Sequence, residues 1–251
     1  MLATSRGNAK VIAGGQSLGP MLNLRLARPN ILIDISGIRS LTEARQEGDA
    51  VIFGACVTHA SIEDGRVPDP TGGFMRRVAR GIAYRAVRNR GTIAGSVVHA
   101  DPSADWLTVL TTLDAVVNIA GTEGTRSVAL SDFVIMPFTV DLREGEFVTG
   151  IRVAQRAENV RFGYFKFCRK AGEFASAMAG VVADGRTARG AIGATGAKPY
   201  VIADASQFLP VTDGTLAEAA QHVRNLGIAD DAAADRANGV AFARALKQVA
   251  Q

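Results

Sequence analysis

The sequence predicts an α+β chain: an N-terminal β-α-β unit, a larger mixed α/β subdomain, and a smaller C-terminal α+β domain. Three observations predict it. Short β-rich runs recur through the first two thirds and alternate with brief helical segments, the pattern of packed mixed layers. Glycine is abundant, with 27 in 251 residues, which favours tight turns and close backbone approaches over long helices. Near Arg169 the composition shifts, and the chain ends in an Ala-rich tail. The expected boundaries are residues 1–50 and 51–165 for the two parts of the first domain, and 166–251 for the second.

The elements follow in order. "AKVIAG" reads as a strand from Ala9 that enters a turn at Gly14-Gly15. Pro20 suits the first turn of a helix, where its missing N–H is unneeded. "MLNLRLA" supplies helix formers, Pro29 stops them, and "NILIDI" is a second β-rich run. "AVIFGACVTHASIED" is a strand leading into a short helix, and the Arg-rich segment Phe74–Arg88 reads as one helix. A glycine turn at "RGTIAGS", a helix over 104–113 and a strand over 115–120 come next. "EFVTGIRV" and "RFGYFKFCRK" are further strands, followed by strand or hairpin pieces in "EFASAMAGVVADG" and "TARGAIGATGAKPYVI". The tail from Leu216 to Ala250 reads as two helices.

Composition bounds the function. Apolar residues make up 47% and charged residues 21%, a normal balance for a chain with a core. No run approaches the roughly 18 apolar residues of a membrane span, and the N-terminus lacks a signal-peptide centre. The expected location is cytoplasmic. Cys56 and Cys168 give no CxxC spacing, and His59, His99 and His222 are scattered, so no protein-held metal is expected. The net charge is +4, and six arginines fall between Arg76 and Arg90. Without a zinc spacing, an RNP-like motif or a helix-turn-helix pattern, that run reads as a solvated helix face or a subunit contact, not a nucleic-acid site.

Two turns share a tripeptide: "IAGGQS" at Ile12–Ser17 and "IAGSVV" at Ile93–Val98. Glycines let successive backbone N–H groups converge on an anion without an intervening Cβ. Gly14, Gly15, Gln16 and Ser17 form one such nest, and Thr92 to Ser96 a second. Two nests together suit a diphosphate. A plain strand–helix turn is the competing reading of each. Neither carries GxGxxG or GK[ST], which disfavours a dinucleotide fingerprint and a P-loop. Asp105 sits where a helix begins, so capping competes with binding a ligand hydroxyl. Lys166 lies in an apolar strand, with Tyr164 and Cys168 on the same alternating side, and a Lys there needs a polar or anionic partner. Cys168 reads as a buried small residue and Trp106 as core.

With these pieces in order, the chain resembles the FAD-binding medium subunit of molybdenum-containing hydroxylases, a family that includes the carbon monoxide dehydrogenase medium subunit and the flavin domain of xanthine dehydrogenase. The resemblance runs through "AGGQSLGPMLNLRLARPNILIDISGI", "VRNRGTIAGSVVHADPSADWLTVLTTLDAVV" and "GYFKFCRKAGEFASA". It implies that residues 1–165 form a two-part FAD-binding domain. It also implies that Ala13, Gly14, Gly15, Gln16 and Ser17 wrap the FAD pyrophosphate, and that Thr92, Ile93, Ala94, Gly95 and Ser96 form the second phosphate loop. Asp105 then matches a cofactor-binding acid, Lys166 a lysine beside the flavin, and Val148 an apolar position near the ring. The family's second loop usually reads T-I-G-G with Asn or Asp next. Ala94 and Ser96 depart from it, and the Ala94 methyl requires a backbone that avoids positive φ. Relatives also carry a longer segment before the first loop and a longer C-terminal domain.

The resemblance implies an oxidoreductase subunit that moves electrons and contributes no catalytic side chain to the organic substrate. Its partners would be a large molybdopterin-binding subunit and a small subunit with [2Fe–2S] clusters, in a heterotrimer that dimerises, with an external electron acceptor. The molybdenum–pterin and iron–sulfur groups are expected only on those partners. Two other readings stay open: a self-contained FAD-dependent reductase, and a flavin-free structural subunit.

Overall fold

A computed structural model describes residues 2, 4–5, 8–229 and 231–250. The N-terminal unit is β1 (Ala9–Ile12), α1 (Leu18–Asn23) and β2 (Ile31–Asp34), with β1 and β2 paired in parallel. A parallel pair needs a crossover, which α1 supplies. Pro20 falls in the first turn of α1, where its missing N–H would have had no intrahelical acceptor.

The next layer opens with α2 (Arg39–Thr42), β3 (Ala44–Glu47), β4 (Ala50–Gly54) and α3 (His59–Glu63). It continues with α4 (Phe74–Arg80), α5 (Arg85–Arg88), α6 (Ile93–His99) and α7 (Asp105–Thr112). Then come β5 (Val116–Gly121), β6 (Gly124–Ala129), α8 (Leu130–Phe133), β7 (Val134–Met136), β8 (Thr139–Val140) and β9 (Phe147–Ala154). The strands form a sheet in the order β3-β4-β9-β5-β6, every neighbouring pair antiparallel, with β7 and β8 as a separate hairpin. One core joins the sheet to its helices, centred on Phe53, Ile93, Trp106, Leu110, Phe133 and Ile151.

The last layer is the antiparallel sheet β10 (Arg161–Phe167), β11 (Ala177–Ala183), β12 (Ala188–Gly193) and β13 (Tyr200–Ile202), followed by α9 (Asp213–Leu226) and α10 (Ala232–Gln248). Strand alternation divides its faces. Ala177, Ala179 and Val181 pack in a second core with Phe242 and Leu246 of α10. The opposite face meets α7, all eight residues of which are buried. Gly180 and Gly193 make that approach possible. A Cβ at either would lie 2.4 Å and 1.9 Å from the hydroxyls of Thr112 and Thr108.

Several expectations are corrected. The single helix over Phe74–Arg88 is two, because Ala83 takes φ +42° and Ile82 bridges to Gly172 in the β10–β11 connection. The turn expected over Thr92–Ser96 is the first turn of α6. Cys168, expected to be buried, lies just past β10 at intermediate exposure. The strand expected in "RFGYFKFCRK" is β10, and the expected domain start at 166 falls inside it.

Candidate functional site

The first turn leaves β1 and does not become helix until Leu18. Gly15 takes φ +68°, a conformation costly for any side chain with a Cβ. Among the described residues, the backbone N–H groups of Gly14, Gly15, Gln16 and Ser17 find no protein acceptor. The Gln16 side-chain amide donates to the Gly14 carbonyl at 3.1 Å, which holds the turn from within. Ser17 caps α1 by position, but its side chain makes no capping bond. Ala13 packs partly buried against the main core and anchors the turn.

Gly14 sets where this turn sits. A Cβ there would lie 1.9 Å from the carbonyl oxygen of Arg90 and 2.9 Å from the Cα of Gly91. The first turn therefore rests directly on the backbone leading into Thr92, and the two Ile-Ala-Gly segments are neighbours.

The second turn is built differently. Ile93 N–H donates to the Val57 carbonyl, Gly95 N–H to Thr92 Oγ1 at 3.1 Å, and Ser96 N–H to the Thr92 carbonyl. The expected nest is therefore largely consumed as a helix cap, leaving the Ala94 N–H, the half-buried Ser96 hydroxyl and the Thr92 hydroxyl proton. Ala94 is buried in α6 and has no positive φ, so its methyl is accommodated. Behind the junction, His59 covers Gly91, and its Nδ1 accepts the indole N–H of Trp106 at 3.0 Å. An Nδ1 that accepts cannot carry a proton, so the ring is neutral. Burial lowers the His59 pKa to about 4, with the Arg88 charge acting in the same direction.

Asp105 and Lys166 meet across the seam between the two cores. Lys166 Nζ donates to Asp105 Oδ2 at 2.9 Å and to Oδ1 at 3.1 Å, and Tyr164 Oη donates to Oδ1 at 2.8 Å. Asp105 is 5% exposed and the Lys166 side chain 10%. The N-cap of α7 is Ala104, so Asp105 is not the cap. Burial pushes the Asp105 carboxyl above the usual carboxylate range, against the Lys166 ammonium, which favours the ionised form. Burial, then the Asp105 charge, raises the Tyr164 hydroxyl well above its ordinary value. Val148 lies in β9 opposite Ile119, with its side chain in the main core. It shares that core with α6, which packs on β9.

The Arg-rich run divides: Arg76, Arg77, Arg80, Arg85 and Arg90 are exposed, and Arg88 turns inward. Arg88 is buried, forks onto Glu63 at 2.7 Å and donates to the carbonyls of Ile82 and Ala83. Arg85 pairs with Glu63 and Asp64. Arg85 stays exposed, as a solvated face requires, whereas the buried Arg88 departs from that expectation. Tyr164 and His59 are the polar side chains at the site that sequence reasoning left without a role. The alternation of Tyr164 with Lys166 was the available signal for the first. Nothing local marks the second.

The first turn fits an anion. Among the described residues, it offers open N–H groups, a glycine at positive φ and a seat on the Arg90–Gly91 backbone that leaves no room for a Cβ at Gly14. A match to the model of the FAD-binding domain in molybdopterin dehydrogenase covers residues 1–155. The nicotine 6-hydroxylase medium subunit of Paenarthrobacter nicotinovorans is 34% identical over 213 residues, 83% of this chain and 75% of that one. The 6-hydroxypseudooxynicotine dehydrogenase complex subunit alpha of the same organism is 34% identical over 175 residues, 70% of this chain, which spans only 59% of that relative. Among solved structures, a carbon monoxide dehydrogenase from Hydrogenophaga pseudoflava that lacks the Mo-pyranopterin moiety of its cofactor superposes with a TM-score of 0.91 at 29% identity. That superposition covers 99% of this chain and 91% of the other. Among the described residues, no helix is long and apolar enough to cross a membrane. With more than half its length matched to one family model and a relative this similar, the chain belongs to the FAD-binding domains of molybdopterin dehydrogenases.

Proposed function

We propose that this chain is the electron-transfer subunit of a cytoplasmic molybdenum hydroxylase complex. Electrons arrive from [2Fe–2S] clusters on a small partner and leave to an external acceptor, while the organic substrate belongs to a large molybdopterin-binding partner. The assembly is a heterotrimer that dimerises. Bound FAD supplies the chemistry: acceptance of single electrons and release of two.

The observation that carries this reading is the open first turn seated on the Arg90–Gly91 backbone. Backbone N–H groups of Gly14, Gly15, Gln16 and Ser17 hold the pyrophosphate, and Ala13 fixes the direction of the turn. Thr92, Ile93 and Gly95 shape the floor, to which the Ala94 N–H and the Ser96 hydroxyl add donors. Lys166 brings positive charge to the flavin end, with Asp105 beside it, and Val148 supplies an apolar position near the ring from the core it shares with α6. Positive charge at that end favours the electron-rich reduced ring.

Purification of the chain with its native partners tests the reading. FAD bound to this subunit, with molybdenum and iron on its partners, is the expected inventory. A colourless subunit that takes up no added FAD contradicts it. FAD without molybdenum or iron in the native preparation points instead to a self-contained reductase.

A further inference from the structure

Asp105 matches the cofactor-binding acid of the family, yet its carboxylate is already occupied. A carboxylate has about four lone-pair sites. Three are engaged by Tyr164 Oη and the two contacts from Lys166 Nζ, and 5% of the residue remains exposed. Lys166 has three N–H donors. Two point at Asp105, and the third finds no acceptor among the described residues.

We propose that Asp105 acts on the cofactor only through Lys166, and that Tyr164 is a second positioning residue, fixing the carboxylate that fixes the ammonium. The fold explains the division of roles. Tyr164 and Lys166 stand two residues apart on β10, so both side chains leave the same face of the sheet. Asp105 enters that face from the first position of α7, on the other side of the seam. A buried Lys without its carboxylate loses the partner that fixes its geometry. A buried Asp without its Lys takes up a proton and becomes nearly isosteric with Asn. The three groups therefore work as one unit, with Lys166 as the member left with a donor to offer a ligand. The inference rests on the proposed function, because it concerns how these residues hold FAD.

A double-mutant cycle on the full chain separates this from direct contact by Asp105. FAD affinity is read by flavin fluorescence titration of the apoprotein. Lys166→Met and Asp105→Asn each lower affinity about tenfold, the scale of one charge-assisted hydrogen bond. The double variant loses no more than the weaker of the two. A loss near the product, about a hundredfold, means that Asp105 touches the cofactor independently and overturns the inference. The midpoint potential of bound flavin gives a readout that a purely structural role would leave unmoved. Asp105→Asn shifts it when Lys166 is present and not when Lys166→Met is already in place.

Tyr164→Phe keeps the ring and deletes the hydroxyl, so it takes the place of Asp105→Asn if that variant fails to fold, with Lys166→Gln in place of Lys166→Met if that one does. It costs about threefold in affinity with Lys166 present, less than the charge variants because the hydroxyl acts through two other groups, and nothing with Lys166→Met. An equal loss in both backgrounds overturns the role given to Tyr164. A wild-type chain that binds no FAD contradicts the proposed function itself, and this inference falls with it.

Discussion

The two Ile-Ala-Gly turns share three residues and almost nothing else. After Gly14 the chain meets Gly15 at φ +68°, which keeps helix from starting until Leu18 and leaves four N–H groups open. After Gly95 the chain is already helical, because Thr92 stands ahead of the tripeptide and caps it. The residue before and the residue after decide the outcome: Val11 and Gly15 in one case, Thr92 and Ser96 in the other. Under the proposed function, the first turn binds and the second supports. An echo in sequence is therefore evidence of a shared shape only where its flanks agree.

The hardest blow to this arrangement is Gly14→Ala. Its methyl would meet the Arg90 carbonyl at 1.9 Å, and a backbone atom cannot swing aside. The two turns must part, at a cost of about 3 kcal/mol or more. Thermal melting should show the loss, and FAD uptake should fall with it. Unchanged stability would mean that the turns are not in contact.

Next comes acid. His59 stays neutral behind Gly91 with a pKa near 4, against 6.5 in the unfolded chain. Below pH 6.5 the unfolded state takes up a proton that the folded state refuses. Stability then falls until about pH 4, by roughly 3 kcal/mol for this one group, and above pH 6.5 the contribution is constant. His59→Gln should flatten that limb of a denaturation-versus-pH curve. An identical acid slope in both proteins would remove His59 as its source.

The smallest effect sharpens the comparison. Thr92→Val removes the oxygen that accepts the Gly95 N–H and should cost about 1 kcal/mol, as lost N-caps do. If the second turn supports and the first binds, as proposed, FAD affinity should change much less than in Gly14→Ala. A larger loss of affinity than of stability would reverse the two roles.

Much of this was legible in the chain. The β1–α1–β2 unit followed from an apolar run, a glycine pair and two prolines. The last sheet and the two tail helices followed from patterning and composition. What stayed hidden was tertiary. The break between α4 and α5 depends on Ile82 bridging to Gly172 and on Arg88 turning inward to Glu63. No local spacing announces either. Helix α6 was missed because its glycine reads as a turn until the Thr92 cap is weighed. Asp105 and Lys166 were each singled out, but 61 residues separate them, and their pairing exists only where two cores meet.

The most direct test follows backbone amides by two-dimensional NMR while FAD is added to the ¹⁵N-labelled apoprotein. The account predicts that Gly14, Gly15, Gln16 and Ser17 move downfield and gain protection from exchange as their N–H groups find phosphate oxygens. It predicts that Ile93, Gly95 and Ser96, already bonded within the protein, shift little. Large shifts confined to the second turn, with the first unmoved, would contradict it.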